Sequence, residues 1–193
     1  MDEQLLAAAA SGDVAGISAA LKGGADVDAR DAHGRTPLLL ATVARQTDAV
    51  RRLIDAEPNL DLQDDQLDNP FLYAGAEGLT DILRLVSEAG ADPSITNRFG
   101  GTALIPAADR GHGELVRALL RTEIDVDHVN DLGWTALLEA VILGDGGAAH
   151  REIVRLLVEA GADAGIADRD GVTPLEHARR SGYDEIAALL AGR

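Results

Sequence analysis

The feature that most constrains this chain is that it repeats itself. The stretches "DAHGRTPLLLA", "DQLDNPFLYA", "RFGGTALIPA", "DLGWTALLEA" and "RDGVTPLEHA" superpose on Thr36, Asn69, Thr102, Thr135 and Thr173, at spacings of 33, 33, 33 and 38 residues. The second half of each unit recurs too, as "AVRRLIDAEPNLD", "DILRLVSEAGADP", "ELVRALLRTEIDV" and "EIVRLLVEAGADA". Self-similarity at such a period means that one supersecondary unit is reused, each copy burying its apolar face against its neighbours. At the N-terminus "LLAAAASGDVAGISAALKGGADV" is a unit without its opening turn, and "LEHARRSGYDEIAALLAGR" is one that stops after its second helix.

The recurring positions have distinct physical roles. Asp31, Asp64, Asn97, Asn130 and Asp168 open a turn that a short polar side chain can hydrogen-bond. Gly34, Gly100, Gly133 and Gly171 fall where that turn needs positive φ. Thr36, Thr102, Thr135 and Thr173 are expected to cap the first helix, with Pro37 and Pro174 at N1. Ala41, Ala74, Ala107, Ala140 and Ala178 are small enough for helices to approach closely. Leu53, Leu85, Leu119, Leu156 and Leu189 are predicted to form the apolar stripe of the second helices, and Gly24, Gly90 and Gly161 their left-handed caps. Leu67 replaces the turn glycine, Asn69 and Phe71 replace the usual Thr and Leu, and Glu57 and Glu123 stand where a cap glycine is expected.

With these residues at these spacings, the chain resembles the ankyrin repeat family over essentially its whole length. The resemblance implies an all-α fold, an ankyrin repeat α-solenoid of six helix pairs with short β-hairpin loops. It would form a single domain over 1–193, with units of about 1–30, 31–63, 64–96, 97–129, 130–167 and 168–193. The resemblance also implies a non-catalytic protein–protein interaction module that holds its partner on a concave face of hairpin tips and first helices. Mapped by position, that face takes in Arg35, Tyr73, Arg98, Phe99, Arg110, Leu132, Trp134, Ile142 and Leu143. Asp145, Gly146 and Gly147 would extend its rim. Aromatic residues and arginine dominate binding hot spots, and exposed apolar clusters mark interaction sites; the competing reading of Trp134 is local packing onto the neighbouring hairpin. The segments "GGTALIPA" and "GWTALLEA" are similar to those of small bacterial ankyrin proteins, some of them exported and associated with oxidative-stress functions.

Composition narrows the partners. Seventeen Lys and Arg against 33 Asp and Glu give a net charge of −16, which repels phosphate backbones and anionic lipid, so neither nucleic acid nor membrane is expected as a partner. The absence of cysteine excludes disulfides and thiolate metal sites. His33, His112, His128, His150 and His177 lack the i, i+4 spacing of a zinc helix. The acidic "LQDDQLDNP" lacks the glycine and terminal glutamate of a calcium loop. No metal or cofactor is therefore expected. A helical pattern precedes "GDGGAA" and "HRE" follows it, whereas a phosphate loop needs a strand before and a Lys-Ser or Lys-Thr after. The longer step between Thr135 and Thr173 is thus read as an insertion at Asp145–Ala149, between the two helices of the fifth unit. The alternative function is a small-ligand or enzymatic protein using this insertion and the carboxylates Asp145 and Glu139, which requires a pocket with a shifted pKa. The N-terminus lacks a basic signal-peptide region, so the reading expects a cytoplasmic monomer, or a periplasmic one if a leader has been removed, with a protein partner of unknown identity.

Overall fold

A computed structural model describes residues 1–192, in two compact units, one from Met1 to Arg98 and one from Phe99 onward. In the first unit α1 (Asp2–Ser11) pairs with α2 (Val14–Lys22), α3 (Pro37–Val43) with α4 (Thr47–Ile54), and α5 (Pro70–Ala76) with α6 (Thr80–Glu88). In the second, α7 (Leu104–Asp109) pairs with α8 (Gly113–Leu119), α9 (Ala136–Ile142) with α10 (Ala148–Glu159), and α11 (Pro174–Arg180) with α12 (Asp184–Ala191). Within each unit first helices stack on first helices (α1 on α3 on α5; α7 on α9 on α11) and second helices on second helices (α2, α4, α6; α8, α10, α12). This is the nearest-neighbour stacking of a solenoid, and no helix among the described residues is long and apolar enough to cross a membrane.

The core follows the repeat. Ala41, Ala74, Ala107, Ala140 and Ala178 are fully buried, as close approach of the first helices requires. The apolar stripe of the second helices differs from the sequence expectation at two places. Leu85 and Leu189 are only half-buried, whereas Val86 and Leu190 are buried in their stead. "LRLV" and "ALL" each place two apolar residues side by side, and only the one in phase with Ile82 or Ile186 points inward.

The helix starts show what capping costs when one residue is out of place. Thr36, Asn69 and Thr135 each accept a backbone N–H three residues on, from Leu39 (3.1 Å), Leu72 (2.8 Å) and Leu138 (3.2 Å). Thr173 forms a full capping box with Glu176. Thr102 does not cap, contrary to expectation: its hydroxyl is buried without a partner and α7 starts one residue late. The cause is Pro106, which stands where Leu40 and Glu139 donate to the carbonyls of Thr36 and Thr135. Proline has no N–H and its ring clashes with the carbonyl four residues back. Ile105 donates to the Thr102 carbonyl instead, at 3.2 Å, a tighter turn that carries its N–H away from the hydroxyl.

The loops expected as β-hairpins are tight turns, with no strand among the described residues. Those opened by Asp31, Asp64, Asn130 and Asp168 are each closed by a pair of backbone bonds, for example Asp31 N–H to Arg35 and Gly34 N–H to Asp31, both at 3.1 Å. A single rung is too short for a ladder. Leu67 keeps the left-handed conformation of the glycine it replaces, with φ 57°. Glu57 does likewise at φ 55°, but Glu123 is absent from the positive-φ residues: α8 ends at Leu119, and Thr122 turns back onto the Leu119 carbonyl through both its N–H and its hydroxyl. A branched side chain at positive φ costs about 1 kcal/mol, and Leu67 is largely exposed. Leu67→Gly is therefore expected to raise Tm by roughly 2–4 °C; an unchanged or lower Tm in a thermal melt would refute the strain.

Candidate functional site

The richest surface lies in the second unit, on the turn before α9 and on α9 itself. Asn130 organises this turn. Its Oδ1 accepts the N–H groups of Leu132 and Trp134, both at 3.0 Å, and its backbone N–H donates to the Trp134 carbonyl at 3.0 Å. The neighbouring turn is tied on by Asp131 N–H, which donates to the Phe99 carbonyl at 3.0 Å, so Phe99 and Leu132 project from adjacent tips. Phe99 is 54% exposed, and Leu132 and Leu143 are each 51% exposed. Val129, which the sequence reading left out, is exposed as well. Trp134 and Ile142 are half-buried. Trp134 precedes the N-cap of α9 and Leu143 follows its last residue, so the seven-residue helix separates them by about 10 Å.

One charged residue lies beneath this turn. Glu139, on α9, is only 7% exposed, and its Oε1 accepts a 2.8 Å hydrogen bond from Asn130 Nδ2. Burial pushes its pKa up to about 7, with a second push from the Asp109 carboxylate; the Asn130 bond works in the opposite direction. The first-helix position that Glu139 occupies is Leu40, Tyr73 and Pro106 in the preceding units. In the last unit it is His177, whose Nε2 lies 2.7 Å from Asp168 Oδ2. Backbone N–H donation from Val172, then the His177 bond, hold Asp168 below the usual carboxylate range.

The glycine-rich insertion is a short loop followed by an additional helical turn, which makes α10 twelve residues long. It is clasped from two sides. His150 Nε2 lies 2.9 Å from the Asp109 carbonyl and His150 Nδ1 2.9 Å from Asp145 Oδ1. The Tyr183 hydroxyl donates to the Gly144 carbonyl at 3.0 Å, and the Tyr183 ring occupies the space that a Cβ on Gly146 would need. The glycines thus let two side chains close over the loop, and a helix, not a strand, precedes it. Asp145 is 78% exposed. Donation from Gly147 N–H, then from His150, keeps it ionised below the ordinary carboxylate range.

Of the other residues mapped to the face, Arg110 is exposed at the end of α7. Arg35, Tyr73 and Arg98 belong to the first unit. The Arg35 guanidinium is already held by Asp31, at 2.7 Å, Tyr73 is half-buried on α5, and Arg98 is exposed. Among the described residues no group of three or more His, Asp or Glu side chains is placed to hold a metal ion.

Two overlapping stretches, residues 5–97 and 71–168, match the family described as ankyrin repeats (3 copies). The chain belongs to the ankyrin repeat family. Its structure superposes on a crystal structure of an ankyrin repeat domain from Acinetobacter baumannii AYE with a TM-score of 0.95, at 50% identity over 97% of this chain and 96% of that one. A curated ankyrin repeat protein of Escherichia coli (strain K12), YahD, is 50% identical over 50 residues, a match that spans 26% of this chain and 25% of the relative. A third similar chain comes from the Bdellovibrio bacteriovorus complex of the predatory endopeptidase Bd0816 with the immunity protein Bd3460; the TM-score is 0.82 at 25% identity, over 98% of this chain and 97% of that one. Ankyrin repeats are in general protein–protein interaction modules without catalytic activity.

The ankyrin pattern makes Glu139 conspicuous, as a charged residue at a position that is apolar or aromatic in the three preceding units. Its bond to Asn130, nine residues earlier, follows only from the packing of the turn on the helix. The raised pKa has a consequence for stability. Between about pH 4.5 and 7 the folded chain binds the Glu139 proton and the unfolded chain does not, so this contribution is complete below that window and lost as pH rises through it. Glu139→Gln keeps the acceptor for Asn130 and removes the ionisation. At pH 8 it is expected to raise Tm by on the order of 5 °C over the wild type, with a much smaller difference at pH 5; equal melting differences at both pH values would contradict the assignment.

Proposed function

We propose that this ankyrin array is a non-catalytic interaction module that binds a protein partner on the turn and first-helix side of its second unit. The observation that carries this reading is the exposure of Phe99 and Leu132 on two turns tied together by the Asp131–Phe99 backbone bond, beside the half-buried Trp134, with Leu143 exposed at the far end of α9. Large apolar side chains on neighbouring turns are costly in water unless something covers them, and tryptophan is the residue most enriched among binding hot spots. Arg110 and Asp145 lie at the ends of α7 and of the insertion, where they supply directional polar contacts at a rim. In the first unit, Tyr73, Arg98 and Arg35 (once it exchanges its Asp31 partner) are proposed as contact residues of that unit's own turns and first helices. That a chain of the same fold comes from an endopeptidase–immunity protein complex supports a protein as the ligand.

An enzymatic use of the insertion is the weaker reading. The shifted carboxylate, Glu139, already bonds Asn130, and its shift has a structural cause in burial and Asp109. Asp145 is held ionised, the opposite of what a general acid near neutral pH requires. The test is capture from a lysate of the native host by the wild-type chain and by Trp134→Ala combined with Leu143→Asp, with circular dichroism to verify that both are folded. At least one protein is expected to be retained by the wild type and lost from the double variant; equal recovery of every captured protein would reject this face.

A further inference from the structure

We propose that Glu139 is a proton-sensitive latch on the turn that presents Leu132 and Trp134, so that the shape of the binding face depends on whether this buried carboxylate is ionised. The argument rests on a chain of hydrogen bonds. Glu139 Oε1 holds Asn130 Nδ2 at 2.8 Å, and the other end of the same amide holds the N–H groups of Leu132 and Trp134 at 3.0 Å. An ionised carboxylate makes a charge-assisted bond, roughly twice as strong as a neutral one. It also polarises the amide, so that Asn130 Oδ1 becomes a better acceptor for both turn N–H groups. A protonated Glu139 still accepts from Asn130, but more weakly, and the turn loosens. Glu139 touches no ligand in this scheme; it is a positioning residue that acts through Asn130.

The surroundings favour a device that switches over one that is permanently set. From α7, Asp109 opposes ionisation of Glu139, while burial opposes it more strongly. From α10 the buried residues are apolar, including Ile153, Val154 and Leu157, and His150 at its start is engaged by Asp145 and the Asp109 carbonyl. From α11, His177 is taken up by Asp168. On the turn itself Arg169 donates to the Asp131 carbonyl, and just before it His128 Nε2 lies 2.6 Å from the Gly100 carbonyl. The side chains that act most on Glu139 are thus Asn130, which bonds it, and Asp109, which repels its charge. The two protonation states therefore lie close in free energy at about pH 7.

The meaning of the latch for binding rests on the face proposed above, but its existence does not, because the turn carries its own reporter. Trp134 is the single tryptophan of the chain, and its emission can be followed with no partner present. The experiment is a titration of the intact protein from pH 5 to 9, read by Trp134 fluorescence and by amide hydrogen exchange at Leu132 and Trp134, corrected for intrinsic rates. Wild type is expected to show a one-proton change centred near pH 7, with about fivefold greater protection of both amides at pH 8 than at pH 6. Glu139→Gln should be flat in both readouts. Asp109→Asn should keep the transition and move its midpoint to lower pH. A wild type that shows no transition overturns the latch. So does a transition that persists in Glu139→Gln, which would assign the signal to a different group. Either result leaves the lysate comparison of the Trp134 and Leu143 variants standing, and equal recovery there would leave the latch intact without a face to serve.

Discussion

Everything in this structure depends on small residues at one position of each first helix from α3 onward. Ala41, Ala74, Ala107, Ala140 and Ala178 are fully buried, and a larger side chain at any of them would force neighbouring helices apart. Because a helix of about seven residues is marginal alone, each pair is held by the neighbouring pair or pairs of its own unit. The periodicity of the chain is thus a packing requirement, since within each unit the same small residue must return where one first helix meets the next.

The same requirement explains where the chain tolerates exceptions. Leu67 occupies a glycine position at the price of left-handed strain, on an exposed turn where nothing else must move. Pro106 delays α7 by one residue and strands the Thr102 hydroxyl, yet Ala107 and the buried face of the helix keep their places. The insertion before α10 falls between two helices, away from the stacking surface, and His150 and Tyr183 close over it. Departures accumulate at turns and helix starts, where one lost hydrogen bond costs about 1 kcal/mol; a disrupted stack would cost several times that.

The polar groups of the fifth unit depart from the pattern in a different way. Asn130 serves as the turn former found in every unit after the first, and its side-chain N–H reaches Glu139. The last unit repeats the arrangement with Asp168 and His177. In both, a turn residue is bonded to a first-helix side chain nine positions later, coupling the surface that presents side chains to the helix beneath it. The units with Leu40 or Pro106 at that position have no side-chain donor or acceptor there with which to do the same.

The sequence by itself determined the family, the helix pairs, the turn formers and most of the caps, because these depend on local chemistry that recurs at a fixed spacing. It also identified Phe99, Leu132 and Leu143 as surface positions, since a residue's place within the repeat determines whether it faces the stack. Only the tertiary structure decided which of two adjacent apolar residues fills the stripe, as with Val86 over Leu85, because a short helix is consistent with two phases until a neighbour selects one. It also decided that the turns are single rungs, that Glu123 escapes positive φ while Glu57 does not, and that the insertion is clasped by Tyr183. The proton affinity of Glu139 belongs to the same class. Burial and the nearness of Asp109 set it, and both arise from how α7 and α9 pack.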